Sequence, residues 1–69
     1  MNLYRDLQGN EYTTRLIQMG WELTFELYPS WWFEYIDSPD WQFRKGSSGS
    51  LTQTETQTRC DSLKHLLTP

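Results

Sequence analysis

The chain has 69 residues, a net charge of −3 at pH 7 and a single cysteine, Cys60. This length allows one small domain, residues 1–69, and a lone cysteine excludes an internal disulfide. One cysteine and one histidine are also too few for a structural zinc site, which takes four ligands. No segment reaches the roughly 20 apolar residues of a membrane-spanning helix, and the first residues do not resemble a signal peptide. We therefore expect a soluble protein in the reducing cytoplasm.

The first twenty residues allow two interpretations. Asn10 is a suitable N-cap, and Gly20 suits the position that follows a helix. Between them the apolar side chains recur with approximately helical spacing, at Tyr12, Leu16, Ile17 and Met19. The alternative is a hairpin between residues 4–7 and 11–14, closed by residues 8–10. We expect a short N-terminal helix, with the hairpin as the alternative.

Three strands are predicted next, over residues 21–27, 31–36 and 41–44 or 41–45. In the first of them, large apolar residues at odd positions alternate with Glu and Thr, which is the period of a β-strand. Each of the two connections contains a proline at a position that favours a tight turn. Short connections make sequential strands neighbours, so the three strands are predicted to form an antiparallel meander.

The C-terminal third combines a loop and a helix. Residues 46–50 are glycine and serine only, which predicts a flexible loop. Thr52 and Glu55 form a capping box at the start of a helix predicted over residues 53–67. The fold class is therefore α+β: a three-stranded antiparallel meander packed against a C-terminal helix, with a short N-terminal helix (or hairpin).

Strand alternation also assigns the two faces of the sheet. Burying Glu34 without a partner would cost several kcal/mol, so Trp32, Glu34 and Ile36 are placed on the open face. The odd-numbered residues then form the covered face. The predicted core consists of Trp21, Leu23, Phe25, Leu27, Trp31, Phe33, Tyr35, Trp41 and Phe43 from the strands and Leu16, Ile17, Cys60, Leu63, Leu66 and Leu67 from the helices.

The open face is the candidate binding surface. Residues 21–43 contain five carboxylates and no Lys or Arg. A tryptophan flanked by carboxylates offers a cation–π face and charge-assisted hydrogen bonds, which favours a basic protein partner. The eleven aromatic residues carry more apolar surface than so small a domain easily hides, which also favours a homodimer. The predicted binding residues are Glu22, Glu26, Trp32, Glu34 and Ile36.

We therefore predict a small non-enzymatic protein–protein interaction or regulatory domain, with no catalytic residue, metal or cofactor. His65 has no nucleophile in its sequence neighbourhood, and Cys60 lies on the apolar stripe of the last helix. Asp37 and Asp40 bracket a tight turn whose capping explains both carboxylates better than a bound cation does.

The alternative function is a single-stranded nucleic-acid-binding module. Exposed aromatic side chains on a sheet can stack on bases, and a basic edge could contact phosphates. The excess of carboxylates on the sheet makes nucleic acid an unfavourable partner. The residues predicted for this alternative are Arg44, Lys45, Arg59 and Lys64.

Overall fold

The computed structural model describes residues 2–36 and 40–67. The strands are β1 (Asn2–Arg5), β2 (Glu11–Ile17), β3 (Gly20–Phe25), β4 (Trp32–Ile36) and β5 (Gln42–Ser47), and the helix is α1 (Gln53–Leu67). The strands form one antiparallel sheet in the order β1-β2-β3-β4-β5. The α+β class, the meander and the C-terminal helix are confirmed, whereas the predicted count of three strands is wrong.

The N-terminal third is the hairpin of the alternative interpretation, and the predicted helix over residues 10–19 is wrong. β1 pairs with β2 along its whole length. Within β2, Tyr12 and Thr14 point inward and are buried. Every second side chain thus faces the core, which is the two-residue period of a strand. The four-residue spacing of Tyr12 and Leu16 concealed this period. Leu16, which was predicted to lie in the core, is 69% exposed.

Asp6 closes this hairpin and connects it to α1. Its Oδ1 accepts the backbone N–H groups of Gln8 and Asn10, both at 2.9 Å. Its Oδ2 accepts the hydroxyl of Tyr12 at 2.7 Å and lies 4.0 Å from the guanidinium of Arg59 on the helix. The side chain of Asp6 is fully buried, so the carboxylate depends on these partners for its hydrogen bonds.

The three predicted strands are present with shifted ends. β3 ends at Phe25, two residues earlier than predicted, and β5 continues to Ser47, past its predicted end at residue 44 or 45. Leu27 therefore lies in the β3–β4 connection, where it is 84% exposed and not in the core. The second predicted proline turn, over residues 38–41, includes residues 38 and 39, which lie outside the described residues.

The core lies between α1 and the covered face of the sheet. Strand parity was predicted correctly for its centre, where Leu23, Phe33 and Tyr35 are completely buried. Tyr12 is an addition that the sequence analysis did not place there, and Leu66 is a correction because it is 38% exposed. The buried apolar residues are Tyr12, Leu23, Phe25, Phe33, Tyr35, Cys60, Leu63 and Leu67, with Trp21, Trp31, Trp41 and Phe43 partly buried against them.

α1 has the predicted bounds, and its predicted capping box is formed. The hydroxyl of Thr52 accepts the N–H of Glu55 at 3.1 Å, and the Glu55 carboxylate accepts the N–H of Thr52 at 3.2 Å. The helix contacts both edge strands, so it crosses the sheet from β5 to β1. Within the parts of the chain that the structure describes, no helix has the length and apolar character needed to cross a membrane.

The glycine- and serine-rich segment 46–50 has more contacts than its composition suggests. Gly46 and Ser47 are the last residues of β5. Gly49 lies so close to the indole of Trp31 that a Cβ atom at this position would overlap the ring. Ser48 accepts a hydrogen bond from the hydroxyl of Thr56 at 3.1 Å. The flexibility of this segment stays a prediction, which the Gly46→Ala variant tests.

Candidate functional site

At the centre of the predicted acidic surface, four charged side chains form a row across the open face, with two carboxylates between two bases. Arg15, Glu22, Glu34 and Lys45 stand opposite one another across β2, β3, β4 and β5. The guanidinium of Arg15 lies 3.0 Å from the carboxylate of Glu22, and the ammonium group of Lys45 lies 4.0 Å from the carboxylate of Glu34. Each central carboxylate therefore has a base beside it, and this row carries no excess negative charge.

The other predicted binding residues flank this row on β4 or follow the end of β3. Trp32 is half-buried and stands opposite Thr24. Ile36, also half-buried, stands opposite Gly20 at the other end of β4. Glu26 follows the end of β3 and is exposed. The structure thus brings Glu22, Trp32, Glu34 and Ile36 onto one face and leaves Glu26 at its margin.

The four basic residues of the alternative function are divided between two elements: Arg44 and Lys45 lie on β5, whereas Arg59 lies in α1 and Lys64 in its last turn. Arg44 lies at the irregularity where β5 shifts its register against β4. Lys45 is on the open face beside Glu34, whereas Arg59 lies on the covered side, with its guanidinium 5.5 Å from the centre of the Phe25 ring. A phosphate backbone would need these cations along one path.

Both candidate catalytic residues, Cys60 and His65, lie in α1. Cys60 is buried, and burial raises the pKa of its thiol, with a further increase from the charge of Asp61. A thiol held protonated in this way is a poor nucleophile. Asp37 lies outside the described residues, so its predicted relation to Asp40 is not described. Within residues 2–36 and 40–67, no group of three or more His, Cys, Asp or Glu residues is placed to hold a metal ion.

An apolar groove lies beside α1 at the end of the sheet where β2 turns into β3. Its volume is about 760 Å³. None of the described residues that line it is charged. Three of them are unusually exposed for apolar side chains: Leu16 at 69%, Met19 at 58% and Leu66 at 38%. The lining residues are Tyr4, Leu16, Ile17, Gln18, Met19, Gly20, Trp21, Trp41, Leu66 and Leu67.

Trp41 forms one wall of the apolar groove in an uncommon backbone conformation. Its φ angle is +46°, which costs a residue with a Cβ atom about 1–2 kcal/mol. Its ring stacks on Tyr35 with the ring centres 5.3 Å apart. Its carbonyl accepts the side-chain N–H of Gln57 at 3.0 Å. The strain is therefore maintained by contacts with both β4 and α1.

Trp41 belongs to a ring of four residues in which each contacts the next: Trp41, Gln57, Asp61 and Tyr35. Gln57 also donates to Asp61 at 2.9 Å, and Asp61 accepts the hydroxyl of Tyr35 at 2.7 Å. The Tyr35 ring in turn supports Trp41. Because every member contacts two others, the position of Trp41 is fixed by the fold.

The buried phenol and thiol groups predict a loss of stability in alkali. Burial raises the pKa of Tyr35 far above its ordinary value of 10.0, and its hydrogen bond to Asp61 adds to the shift. Burial likewise raises the pKa of Tyr12 above 10.0 and that of Cys60 above 9.0. As pH rises past these ordinary values, the unfolded chain releases protons that the folded chain retains, so the free energy of unfolding falls.

The test is urea unfolding measured over a pH series. The midpoint should be insensitive to these three groups below pH 9.0 and should decrease through and above pH 10.0. Tyr35→Phe is the matched variant, because it removes one of the titrating groups and should make the alkaline decrease shallower. A midpoint that stays constant beyond pH 10.0 would contradict the assignment.

The fold and the groove define a class of protein: a small α+β domain with a five-stranded antiparallel meander, one helix across it and a preformed apolar groove. Comparison with protein-family models, with curated proteins and with solved structures found no significant match to this chain. The groove was not predicted from the sequence. The available signal was the apolar run around Leu16, which was interpreted as the inner side of a helix.

Proposed function

We propose that this chain is a non-enzymatic protein-interaction domain and that the apolar groove binds an uncharged, apolar segment of a partner protein. The observation that carries the proposal is the exposure of Leu16 and Met19 beside two tryptophans in one concave surface. Single exposed apolar residues are ordinary on protein surfaces, whereas a contiguous apolar patch marks an interaction site.

The composition of the apolar groove indicates the chemistry of its partner. Trp21 and Trp41 offer the large rigid surfaces that dominate binding energy at interfaces. The volume of about 760 Å³ has room for several side chains of an inserted segment. Because the described lining is uncharged, a charged side chain placed here would lose its hydration without gaining a counterion.

The open face supports a partner less strongly than the apolar groove does. A basic partner was predicted from the carboxylates of the central strands, but Glu22 and Glu34 already have Arg15 and Lys45 beside them. A new cation would therefore compete with existing pairs. Trp32 remains the residue that would report binding at this face.

The proposed location is the cytoplasm, supported by the unpaired thiol of Cys60.

The experiment is selection of a phage-displayed library of random peptides against the purified protein. We expect the selected peptides to share an apolar, uncharged core. Leu16→Asp should weaken their binding by about 30-fold or more, because binding would bury an unpaired carboxylate. Leu16 is largely exposed, so this substitution should leave the fold intact.

Leu27→Asp is the matched control, because it places the same charge at an even more exposed leucine outside the apolar groove. It should leave peptide binding unchanged. Equal binding by wild type and Leu16→Asp would contradict the proposal. Selection of basic peptides whose binding is lost in Trp32→Ala would place the interaction on the open face instead.

A further inference from the structure

The two edges of the sheet differ in whether another element contacts their backbone. At the β5 edge, the side chain of Gln57 accepts the N–H of Phe43 at 2.6 Å and donates to the carbonyl of Trp41 at 3.0 Å. The helix thus occupies one backbone N–H of β5 and the carbonyl just before that strand. At the other edge, β1 pairs with β2 on one side, and within residues 2–36 and 40–67 no strand pairs with its other side.

The hydrogen-bond pattern shows which backbone groups of β1 point away from β2. The N–H of Asp6 donates to the carbonyl of Asn10 at 2.9 Å, so these two residues form a hydrogen-bonded pair. Such pairs alternate along an antiparallel ladder, which makes Tyr4 opposite Tyr12 the next one. The N–H and C=O groups of Leu3 and Arg5 therefore point outward.

The outer side of β1 is also open to contact. Leu3 is 56% exposed, and the side chain of Arg5 is 67% exposed. β1 contains no proline, and its register with β2 has no irregularity. Proteins commonly use prolines, bulges or covering elements to prevent edge-to-edge pairing, and β5 has such a cover in Gln57.

We propose that β1 is a self-association site, at which the β1 strands of two copies pair antiparallel and form a ten-stranded sheet. A two-fold axis through Tyr4 would place Leu3 of each copy opposite Arg5 of the other. Each outward N–H would then meet an outward C=O, which gives four hydrogen bonds across the axis. A second copy is chosen because this pairing is self-complementary: each chain offers the same four outward groups to the other, and the two-fold contact closes at two copies.

The side chains are compatible with this arrangement. Arg5 would face an apolar leucine and not another cation, and its guanidinium is 3.2 Å from the Glu11 carboxylate of its own chain. The molecule exposes 4528 Å² in total, whereas a standard interface buries about 800 Å² per partner. Four residues of edge strand supply less than this, so the dimer should be weak and concentration-dependent.

The first experiment is amide hydrogen exchange followed by NMR on the unaltered protein at several concentrations. The amides of Leu3 and Arg5 should exchange more slowly as the concentration rises. Tyr4 is the internal control, because its N–H is bonded within the hairpin and should be protected at every concentration. Exchange at Leu3 and Arg5 that does not depend on concentration would overturn the proposal.

The second experiment measures the dimerisation constant of variants by sedimentation equilibrium. Leu3→Pro removes one outward N–H per copy but no bond to β2, and an edge strand tolerates proline there. It should weaken the dimer roughly 30-fold through the loss of two hydrogen bonds. Leu3→Ala keeps the N–H and should remain within a few-fold of wild type. Equal dimerisation by Leu3→Pro and wild type would overturn the proposal.

The groove proposal and this one can fail separately, because they concern different surfaces. Leu16→Asp should weaken peptide binding and leave the concentration dependence of Leu3 exchange unchanged. Dimerisation that is lost in Leu16→Asp but kept in Leu3→Pro would move self-association from the β1 edge to the apolar groove.

Discussion

Replacing Asp6 with alanine should leave little folded protein at room temperature. The carboxylate is fully buried, with two backbone N–H groups, a tyrosine hydroxyl and a guanidinium around it. Alanine supplies none of the lost acceptors. The N–H groups of Gln8 and Asn10 would be left without their partner, and Arg59 would lose its counterion in a largely buried position.

The expected cost is large compared with the stability of so short a chain. Removing one partner from a buried charged network typically costs about 3–5 kcal/mol. A domain of this length has a total free energy of unfolding on the order of 3–10 kcal/mol. Urea unfolding followed by tryptophan fluorescence measures the difference, and Asp6→Ala should have lost most or all of its folded baseline.

Glu11→Ala is the matched control for Asp6→Ala. Glu11 pairs with Arg5 at 3.2 Å in the same hairpin, but both side chains are substantially exposed. An exposed pair contributes about 0–1 kcal/mol, so this variant should remain folded with a midpoint close to that of wild type. If Asp6→Ala destabilised the protein no more than Glu11→Ala, the buried contacts of Asp6 would not be what holds the N-terminal hairpin against α1.

The parts of the fold that were predicted correctly are those whose local signals agree with their tertiary contacts. In α1, the capping box of Thr52 and Glu55 fixes the start, and the stripe through Cys60 and Leu63 faces the core. In β3 and β4, strict alternation identifies the covered face, and Phe33 is completely buried as expected. Local pattern and burial indicate the same structure in these elements.

The N-terminal hairpin was predicted only as the alternative to a helix because its residues fit two periods. Leu16 and Met19 extend a helix-like spacing, yet both are exposed, while the polar Thr14 is buried. Burial of Thr14 is set by its position opposite Leu23 on β3, which is a contact distant in sequence. The acceptor that closes the hairpin, Asp6, precedes the segment from which the helix was predicted. Tertiary pairing overrode local propensity here.

The candidate surfaces were hard to predict for a related reason. Counting charges along residues 21–43 indicated an acidic face, but Arg15 and Lys45 enter that face from outside the segment through strand pairing. The apolar groove likewise combines residues from the hairpin, from the turn after β2 and from the end of α1. Its walls meet only after the helix has crossed the sheet, so no sequence window contains it.

Gly46→Ala is the second prediction with a large effect, and it tests the predicted flexibility of residues 46–50. In the structure, Gly46 stands opposite Phe33 in the β4–β5 pair. A Cβ atom here would lie 2.5 Å from the Cα of Phe33 and would also overlap the carbonyl of Trp32. Both obstacles belong to the backbone of β4, so they cannot rotate away, and β5 must separate from the sheet.

The expected loss is about 3 kcal/mol or more in the free energy of unfolding, measured by urea titration, because overpacking against backbone has no cheap relaxation. Gly9→Ala is the matched control: Gly9 has a φ angle of +87° but no atom within 4 Å of the added methyl. It should lose only the backbone strain, about 1–2 kcal/mol. If residues 46–50 were instead a flexible loop, Gly46→Ala would slightly raise the free energy of unfolding, because alanine restricts the unfolded chain. The sign of the Gly46→Ala effect therefore decides between a paired strand and a free loop.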